Sequence, residues 1–201
     1  ELNLVISVEL LPICNASYRP GKPPAEAAVL SSQLNRIFHN NKIIDPQLLR
    51  IPGSKLKWYL YVDVYCLAHD GNLTDATILA VSAALTDTHI PKILVTDNDT
   101  KITRTGLPEE KDSSELLGVG SVPLSTTFSM IDETVVADPT KEEEGLSVAS
   151  VSIVRLEEIG KGKKRKGGEG GGIVCMVSVS GEKGVGSEVL VECMRLSGIV
   201  S

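Results

Sequence analysis

Aromatic side chains are scarce in this chain, since phenylalanine, tryptophan and tyrosine together make up 3% of its 201 residues. Most of the few that exist are clustered between Trp58 and Tyr65. Modules that bind single-stranded nucleic acid by stacking bases need several aromatic side chains on one surface. The composition therefore argues against a base-stacking module.

Cysteine is also sparse, with four residues spread along the chain at positions 14, 66, 175 and 193. No pair has the Cys-x-x-Cys spacing of common zinc sites. We therefore expect no metal site and no cofactor, and interpret the cysteines as small, reduced, buried side chains. Reduced thiols are typical of cytosolic or nuclear proteins.

Long apolar runs and a net positive charge are absent as well. The longest apolar runs have the length of a strand, far below the roughly 20 residues of a membrane-spanning helix, so we expect no membrane partner. The net charge is −6, yet five of the 20 basic residues lie between Lys161 and Lys166. An acidic body with one small basic segment does not indicate a general nucleic-acid binder.

Hydrophobic periodicity predicts strands over 2–10 and 57–67, helices over 24–39 and 73–85, and a hairpin over 122–136. Two further strands and a helix from about Ser187 towards Leu196 follow. This order predicts a mixed α/β (α+β) fold. We expect three regions: a first lobe over 1–95, a junction loop over 96–120, and a second lobe over 121–201 with a basic, glycine-rich hairpin insertion at 160–172.

Three groups of residues are candidates for binding or catalysis. The first is the basic insertion, which could contact RNA or phosphate or act as a targeting patch. Its basic residues are Lys161, Lys163, Lys164, Arg165 and Lys166. The alternative is a solvated hairpin tip. Arg19 and Lys22 are candidate phosphate contacts, with a solvated turn as the alternative. Asp138 and the acidic residues 142–144 allow a metal or acid–base cluster, but Thr140 with Glu143 favours the capped start of a helix.

Four stretches, at residues 58–64, 70–76, 80–85 and 90–91, resemble the RNase PH family. Within that family they are most similar to the non-catalytic ring subunits of the eukaryotic RNA exosome. Residues 12–19, 122–128 and 138–144 further resemble the subunit type known as ribosomal RNA-processing protein 43. The resemblance implies an RNase PH-type fold, similar to domain 2 of ribosomal protein S5, whose N-terminal strands are missing here.

The resemblance also implies a function and partners. It implies a structural subunit of a hexameric ring of RNase PH-type subunits, capped by S1/KH subunits, with RNA threading the pore for 3′–5′ processing and degradation, including rRNA maturation. A related ring subunit at a different position is a further possibility. The implied location is the nucleus, nucleolus and cytoplasm.

Two departures from the family pattern bear on catalysis. Active members carry Asp-Gly-Gly-Thr-Arg-Thr-Ala before the alanine-rich helix, and their arginine holds the attacking phosphate; here Thr74 stands at that position, beside Asp75. They also carry an aspartate on a later strand, where this sequence has Ser150. We therefore expect no catalytic residue. The alternative is an active phosphate-dependent 3′–5′ exoribonuclease.

Overall fold

The computed structural model describes residues 3–15, 18–19, 21, 24–41, 43–96, 101–104, 114–132, 134–159 and 173–198. Within these ranges the strands are β1 (Leu4–Leu10), β2 (Leu60–Cys66), β3 (His89–Pro91), β4 (Ile93–Thr96), β5 (Lys101–Arg104), β6 (Ser114–Leu116), β7 (Ser121–Ile131), β8 (Thr134–Ala137), β9 (Ala149–Glu158) and β10 (Ile173–Gly181). The helices are α1 (Ala25–Asn40), α2 (Leu73–Thr86), α3 (Lys141–Leu146) and α4 (Ser187–Leu196). The predicted mixed α/β class is confirmed.

The first lobe is built on a parallel pair of strands joined by a helical crossover. Strands β1 and β2 run in register from Leu4 opposite Leu60 to Leu10 opposite Cys66, with α1 between them in the chain. Parallel neighbours need such a crossover, because a tight turn can only join antiparallel strands. The side chains of β1 alternate between the core and the outside, and α1 buries its apolar stripe in the same core.

The second lobe is a four-stranded antiparallel sheet in the order β10-β9-β7-β8. One of its faces is apolar, because Phe128, Val151 and Ile153 pack with Cys193 of α4. Helix α2 packs against β7, so this helix joins the two lobes.

The junction differs from the expected loop over 96–120. Its described part contains β5, which pairs with β4, and β6, which pairs with β3. Leu117 is buried in the core that β1 and α1 form, and its N–H donates to the carbonyl of Thr88 at 2.7 Å. Short runs that alternate apolar and polar residues can pair as strands even where a segment as a whole is polar. The division into regions 1–95, 96–120 and 121–201 itself stays a prediction.

None of the helices in the described ranges is long and apolar enough to cross a membrane.

Candidate functional site

The turn that begins α2 is locked against the second lobe. Gly71 has φ +98°, and a Cβ on it would lie 2.3 Å from the carbonyl oxygen of Pro139. The N–H of Lys141 donates to the carbonyl of Asp70 at 3.1 Å. The approach of the two backbones requires glycine at this position, both for its φ and for its missing side chain.

Asn72 is the centre of a polar cluster at this turn. It has φ 43°, a left-handed conformation that asparagine tolerates better than most residues, and its N–H donates to Glu144 Oε1 at 2.8 Å. Its side-chain Nδ2 donates to Asp75 Oδ2 at 2.9 Å and to Asp138 Oδ1 at 2.6 Å. One buried amide thus holds two carboxylates, one from each lobe.

The carboxylate of Asp75 accepts further hydrogen bonds from β7. The N–H of Thr127 donates to Asp75 Oδ2 at 2.8 Å, and Thr127 Oγ1 donates to Asp75 Oδ1 at 2.8 Å. Together with Asn72, these contacts direct three hydrogen-bond donors to one carboxylate.

A row of hydroxyl groups continues from Thr127 across the sheet. Thr127 Oγ1 is 2.9 Å from Ser152 Oγ, and Ser129 Oγ is 3.1 Å from Ser150 Oγ on the neighbouring strand. Ser150 therefore lies two residues from Ser152 on this polar row. Strand β9 is the first of the two further predicted strands, which we expected over 146–156. It begins at Ala149, because Leu146 is the last residue of α3.

These residues surround a cavity of about 480 Å³, which we call the acidic recess. Its wall consists of Asp70, Gly71, Asn72, Asp75, Ala76, Leu79, Pro123, Leu124, Ser125 and Asp138. Three carboxylates line it, and no basic side chain of the described residues does. A unit anion about 4 Å from a carboxylate near a protein surface is repelled by roughly 4 kcal/mol. The recess is therefore unfavourable for a phosphate group.

The acidic segment after Asp138 forms the first turn of α3, which is the alternative that the sequence analysis favoured. Thr140 Oγ1 accepts from the N–H of Glu143, and the Glu143 carboxylate accepts from the N–H of Thr140 at 2.8 Å. This is the predicted capping box. In the described part of the chain, no group of three or more histidine, cysteine, aspartate or glutamate side chains is arranged to hold a metal ion.

The other predicted site residues lie apart from the recess. Thr74 is in the first turn of α2, beside Asp75, and its carbonyl accepts from Thr77 Oγ1 at 3.0 Å. Arg19 is exposed and lines a separate cavity of about 600 Å³ beside the end of β1. Outside the described residues lie Lys22, Lys161, Lys163, Lys164, Arg165 and Lys166.

A second polar chain ties the loop before α1 to the same turn. The Tyr18 hydroxyl donates to Glu26 Oε2 at 2.8 Å and is 2.8 Å from His69 Nδ1, with the two rings stacked at a centroid distance of 5.9 Å. Lys141 Nζ lies 3.9 Å from Glu26 Oε1. Burial, reinforced by the neighbouring Glu26 carboxylate, raises the pKa of Tyr18 above its usual range.

The sequence pattern missed the contacts that hold the recess together. Asp75 and Thr127 are 52 residues apart, and Asn72 and Asp138 are 66 apart. Local signals did mark the individual residues. Asp70-Gly71-Asn72 indicates a turn, and Asp75 is the acidic residue next to Thr74, where active family members carry arginine. No local signal indicates that these groups meet.

Two profiles of one protein family match this chain. The profile described as "3' exoribonuclease family, domain 1" matches residues 1–91, and the profile for domain 2 of the same family matches residues 121–199. Both lobes therefore match, in the same order as in the family.

Curated relatives are similar to the chain over most of its length. It is 36% identical to "Exosome complex component Rrp42" of Methanothermobacter thermautotrophicus over 172 residues. The aligned residues cover 85% of this chain and 60% of the relative. It is 33% identical over 157 residues to the protein of that name from Sulfurisphaera tokodaii, which is 78% of this chain and 54% of the relative. The chain thus spans little more than half the length of these relatives.

Two solved structures share its fold. The first, "archaeoglobus fulgidus exosome with RNA bound to the active site", has a TM-score of 0.72 and 23% identity, covering 96% of this chain and 65% of that chain. The second, "Archaeal exosome core", has a TM-score of 0.67 and 21% identity, covering 97% and 64%. At these identities the likeness shows the fold alone.

The predicted resemblance to the RNase PH family is confirmed. The narrower assignment to the subunit type of ribosomal RNA-processing protein 43 is slightly off, because both relatives are named as component Rrp42.

Proposed function

Because the chain belongs to the 3′ exoribonuclease (RNase PH) family, we propose that it is a structural, non-catalytic subunit of the hexameric ring of an RNA exosome. Its partners are RNase PH-type neighbours in the ring and S1/KH cap subunits, and RNA passes through the pore. In this role it supports 3′–5′ RNA processing and degradation, including rRNA maturation, in the nucleus, nucleolus and cytoplasm.

The observation that carries the proposal is the Asp75 carboxylate at the start of α2. Three donors, from Asn72 and Thr127, are directed to this carboxylate. A phosphate bound here needs such donors and a positive charge. In this chain an internal anion takes these donors, and Asp70 and Asp138 add further negative charge to the wall.

The two substitutions relative to active family members point the same way. Thr74 offers no guanidinium to pair with phosphate, and Ser150 offers no carboxylate as a general acid or metal ligand. Ser150 is instead hydrogen-bonded to Ser129 within the sheet. Phosphorolysis thus loses both its anion site and its proton donor.

An assembly role is supported by the outer face of the β1–β2 pair. Val5, Tyr59, Tyr61 and Tyr65 are all exposed in the chain alone. Tyrosine is enriched at protein interfaces because it combines a large apolar ring with a polar tip. A cluster of this kind is typical of a surface that a partner covers.

The test is reconstitution of a ring in which this chain is wild type and every neighbour carries an alanine in place of its phosphate-binding arginine. We expect the ring to form, and we expect no phosphate-dependent release of nucleoside diphosphates from a 3′-labelled RNA. A ring with wild-type neighbours provides the positive control. Nucleoside diphosphate release by the ring with inactivated neighbours, or by the chain alone, would establish the alternative of an active exoribonuclease, and failure to assemble would refute the ring role.

A further inference from the structure

The acidic recess carries uncompensated negative charge. Asp70, Asp75 and Asp138 line it. The nearby cation Lys141 is 3.5 Å from Glu144 Oε2 and 3.9 Å from Glu26 Oε1, so its charge is already shared by two other carboxylates. Asp70 and Asp138 are exposed and Asp75 is half-buried, so a cationic group that entered the recess would meet three carboxylates at the surface of the chain.

Asn72 supplies a second, independent indication of a ligand. Its side chain forms part of the wall, the residue is only 9% exposed, and its Oδ1 has no hydrogen-bond partner among the described residues. Both hydrogens of its Nδ2 are committed to Asp75 and Asp138, so Oδ1 stays open to an added donor as far as the described residues are concerned. Ser125 Oγ, in the same wall, is likewise buried without a partner in the described part of the chain. A buried acceptor of this kind is costly unless something donates to it.

Apolar side chains also line the recess. They are Ala76 and Leu79 of α2 and Pro123 and Leu124 of β7. Lysine and arginine side chains have a matching division, because an apolar stem carries a charged, donor-rich head. Arginine in particular offers five N–H donors in a plane, enough to contact carboxylates and an amide oxygen together.

We propose that the acidic recess receives an arginine or lysine side chain from a neighbouring subunit of the ring, an inference that rests on the proposed function. The stem lies between α2 and β7, and the head donates to Asp70, Asp138 and Asn72 Oδ1. The recess beside the turn that begins α2 thereby becomes a binding site for a side chain of the neighbouring subunit. RNA is the wrong occupant, because its phosphates would face three carboxylates.

The first experiment compares carboxyl labelling of the free full chain with that of the assembled ring. Carbodiimide and glycine ethyl ester modify accessible carboxylates, and mass spectrometry of the peptides reports each site. We expect labelling of Asp70 and Asp138 to fall at least about fivefold on assembly, since a seated cation excludes the reagent. Unchanged labelling of both residues in a formed ring would overturn the inference.

The second experiment measures affinity with matched variants. Asp70→Asn with Asp138→Asn keeps the size and one acceptor oxygen of each side chain but removes their charge. Asp132→Asn is the control, because Asp132 has the same φ of 54° as Asp138 and does not line the recess. We expect the double variant to bind its neighbour about 10- to 100-fold more weakly, with a shallower salt dependence, and the control to bind as the wild type does.

The outcomes separate this inference from the proposed function. If the wild-type chain joins no ring, both are overturned. If it joins a ring and the double variant binds its neighbour with unchanged affinity and salt dependence, only the inference fails. A double variant that gained RNA affinity with no change in neighbour affinity would also overturn it, since the recess would then act only to repel RNA.

Discussion

Asn35 of α1 binds both main-chain groups of Ile6 in β1: its Oδ1 accepts from the Ile6 N–H at 3.0 Å, and its Nδ2 donates to the Ile6 carbonyl at 2.6 Å. Side chains one turn away on either side extend the contact. Ser31 Oγ accepts from the N–H of Val8 at 2.9 Å, and His39 Nε2 lies 2.6 Å from the carbonyl of Leu4. Polar side chains four residues apart on α1 thus take the place of a neighbouring strand along this edge of β1.

Replacing Asn35 by leucine leaves the N–H and carbonyl of Ile6 without partners at a largely buried position. We expect the free energy of unfolding to fall by about 2–4 kcal/mol, because each unsatisfied buried group costs about 1–3 kcal/mol. Asn40→Leu is the control, since Asn40 is on the same helix with an exposed side chain. Urea unfolding of both variants is the measurement, and equal midpoints would contradict the role given to Asn35.

Gly71→Ala tests the close approach of the α2 turn to the second lobe. The new Cβ must displace the backbone at Pro139, in addition to adopting φ +98°. Gly53→Ala isolates the second effect, because Gly53 has φ +78° but no atom within 4 Å of a Cβ. We expect about 1 kcal/mol of destabilisation for Gly53→Ala and at least about 3 kcal/mol for Gly71→Ala. Similar thermal midpoints for the two variants would show that the lobes do not touch here.

Asp75 can be tested by comparing alanine with asparagine. Alanine removes the acceptors of both Thr127 donors, and we expect it to lower the free energy of unfolding by about 3 kcal/mol. Asparagine can accept from the Thr127 N–H through Oδ1 and donate to Thr127 Oγ1 through Nδ2, so we expect less than about 1 kcal/mol. Denaturant titration distinguishes them, and a loss as large for asparagine as for alanine would mean that the charge, rather than the hydrogen bonds, stabilises the site.

Ionisation of the Cys66 thiol should make the free energy of unfolding depend on pH in the alkaline range. Burial, followed by its contact with Cys14, raises the pKa of Cys66 from 9.0 to about 11. The fold therefore favours the neutral thiol, and this contribution is complete below pH 9 and is lost as the pH rises towards 11. We expect the free energy of unfolding to fall by up to about 2–3 kcal/mol over that interval. In Cys66→Ala, measured under reducing conditions, the decline should be shallower, and an identical pH profile would contradict this assignment.

The basic insertion makes a prediction that concerns residues outside the described ranges. Deleting residues 161–172 should leave ring assembly intact. If this segment contacts RNA, the deletion should weaken RNA binding and reduce the slope of its salt dependence, because fewer phosphate charges are neutralised. A matched variant with the five basic residues replaced by glutamine separates charge from length. Failure of the deleted protein to join the ring would mean that the segment is structural.

Local patterns predicted the elements well where one face of an element is buried. The spacing of Ala27, Leu30, Leu34, Ile37 and Phe38 predicted α1, and all five side chains are buried in it. The capping box at Thr140 was predictable for a different reason, because Thr140 and Glu143 lie within one turn. Such features depend only on residues that are close in the sequence.

The recess and the short junction strands could not be predicted in this way. Strands β5 and β6 each have four residues or fewer and are fixed by their partners rather than by their own pattern. The contacts of Asp75 and Asn72 depend on how α2 is placed against β7, and the relevant side chains have ordinary local surroundings in the sequence. The departures at Thr74 and Ser150 became meaningful only through the resemblance to a family.

The contacts at Gly71, Asn72 and Asp75 also determine how the molecule comes apart. Because the first turn of α2 is bonded to residues of the second lobe, neither lobe can open there without breaking buried hydrogen bonds of the other. The two lobes should therefore exchange their core amide hydrogens as one cooperative unit, with a single unfolding free energy for β1 and β9. In native-state hydrogen exchange, the slowest amides of β1 and β9 should then show the same dependence of exchange free energy on denaturant. These strands lie in the two regions that the sequence predicts as separate lobes.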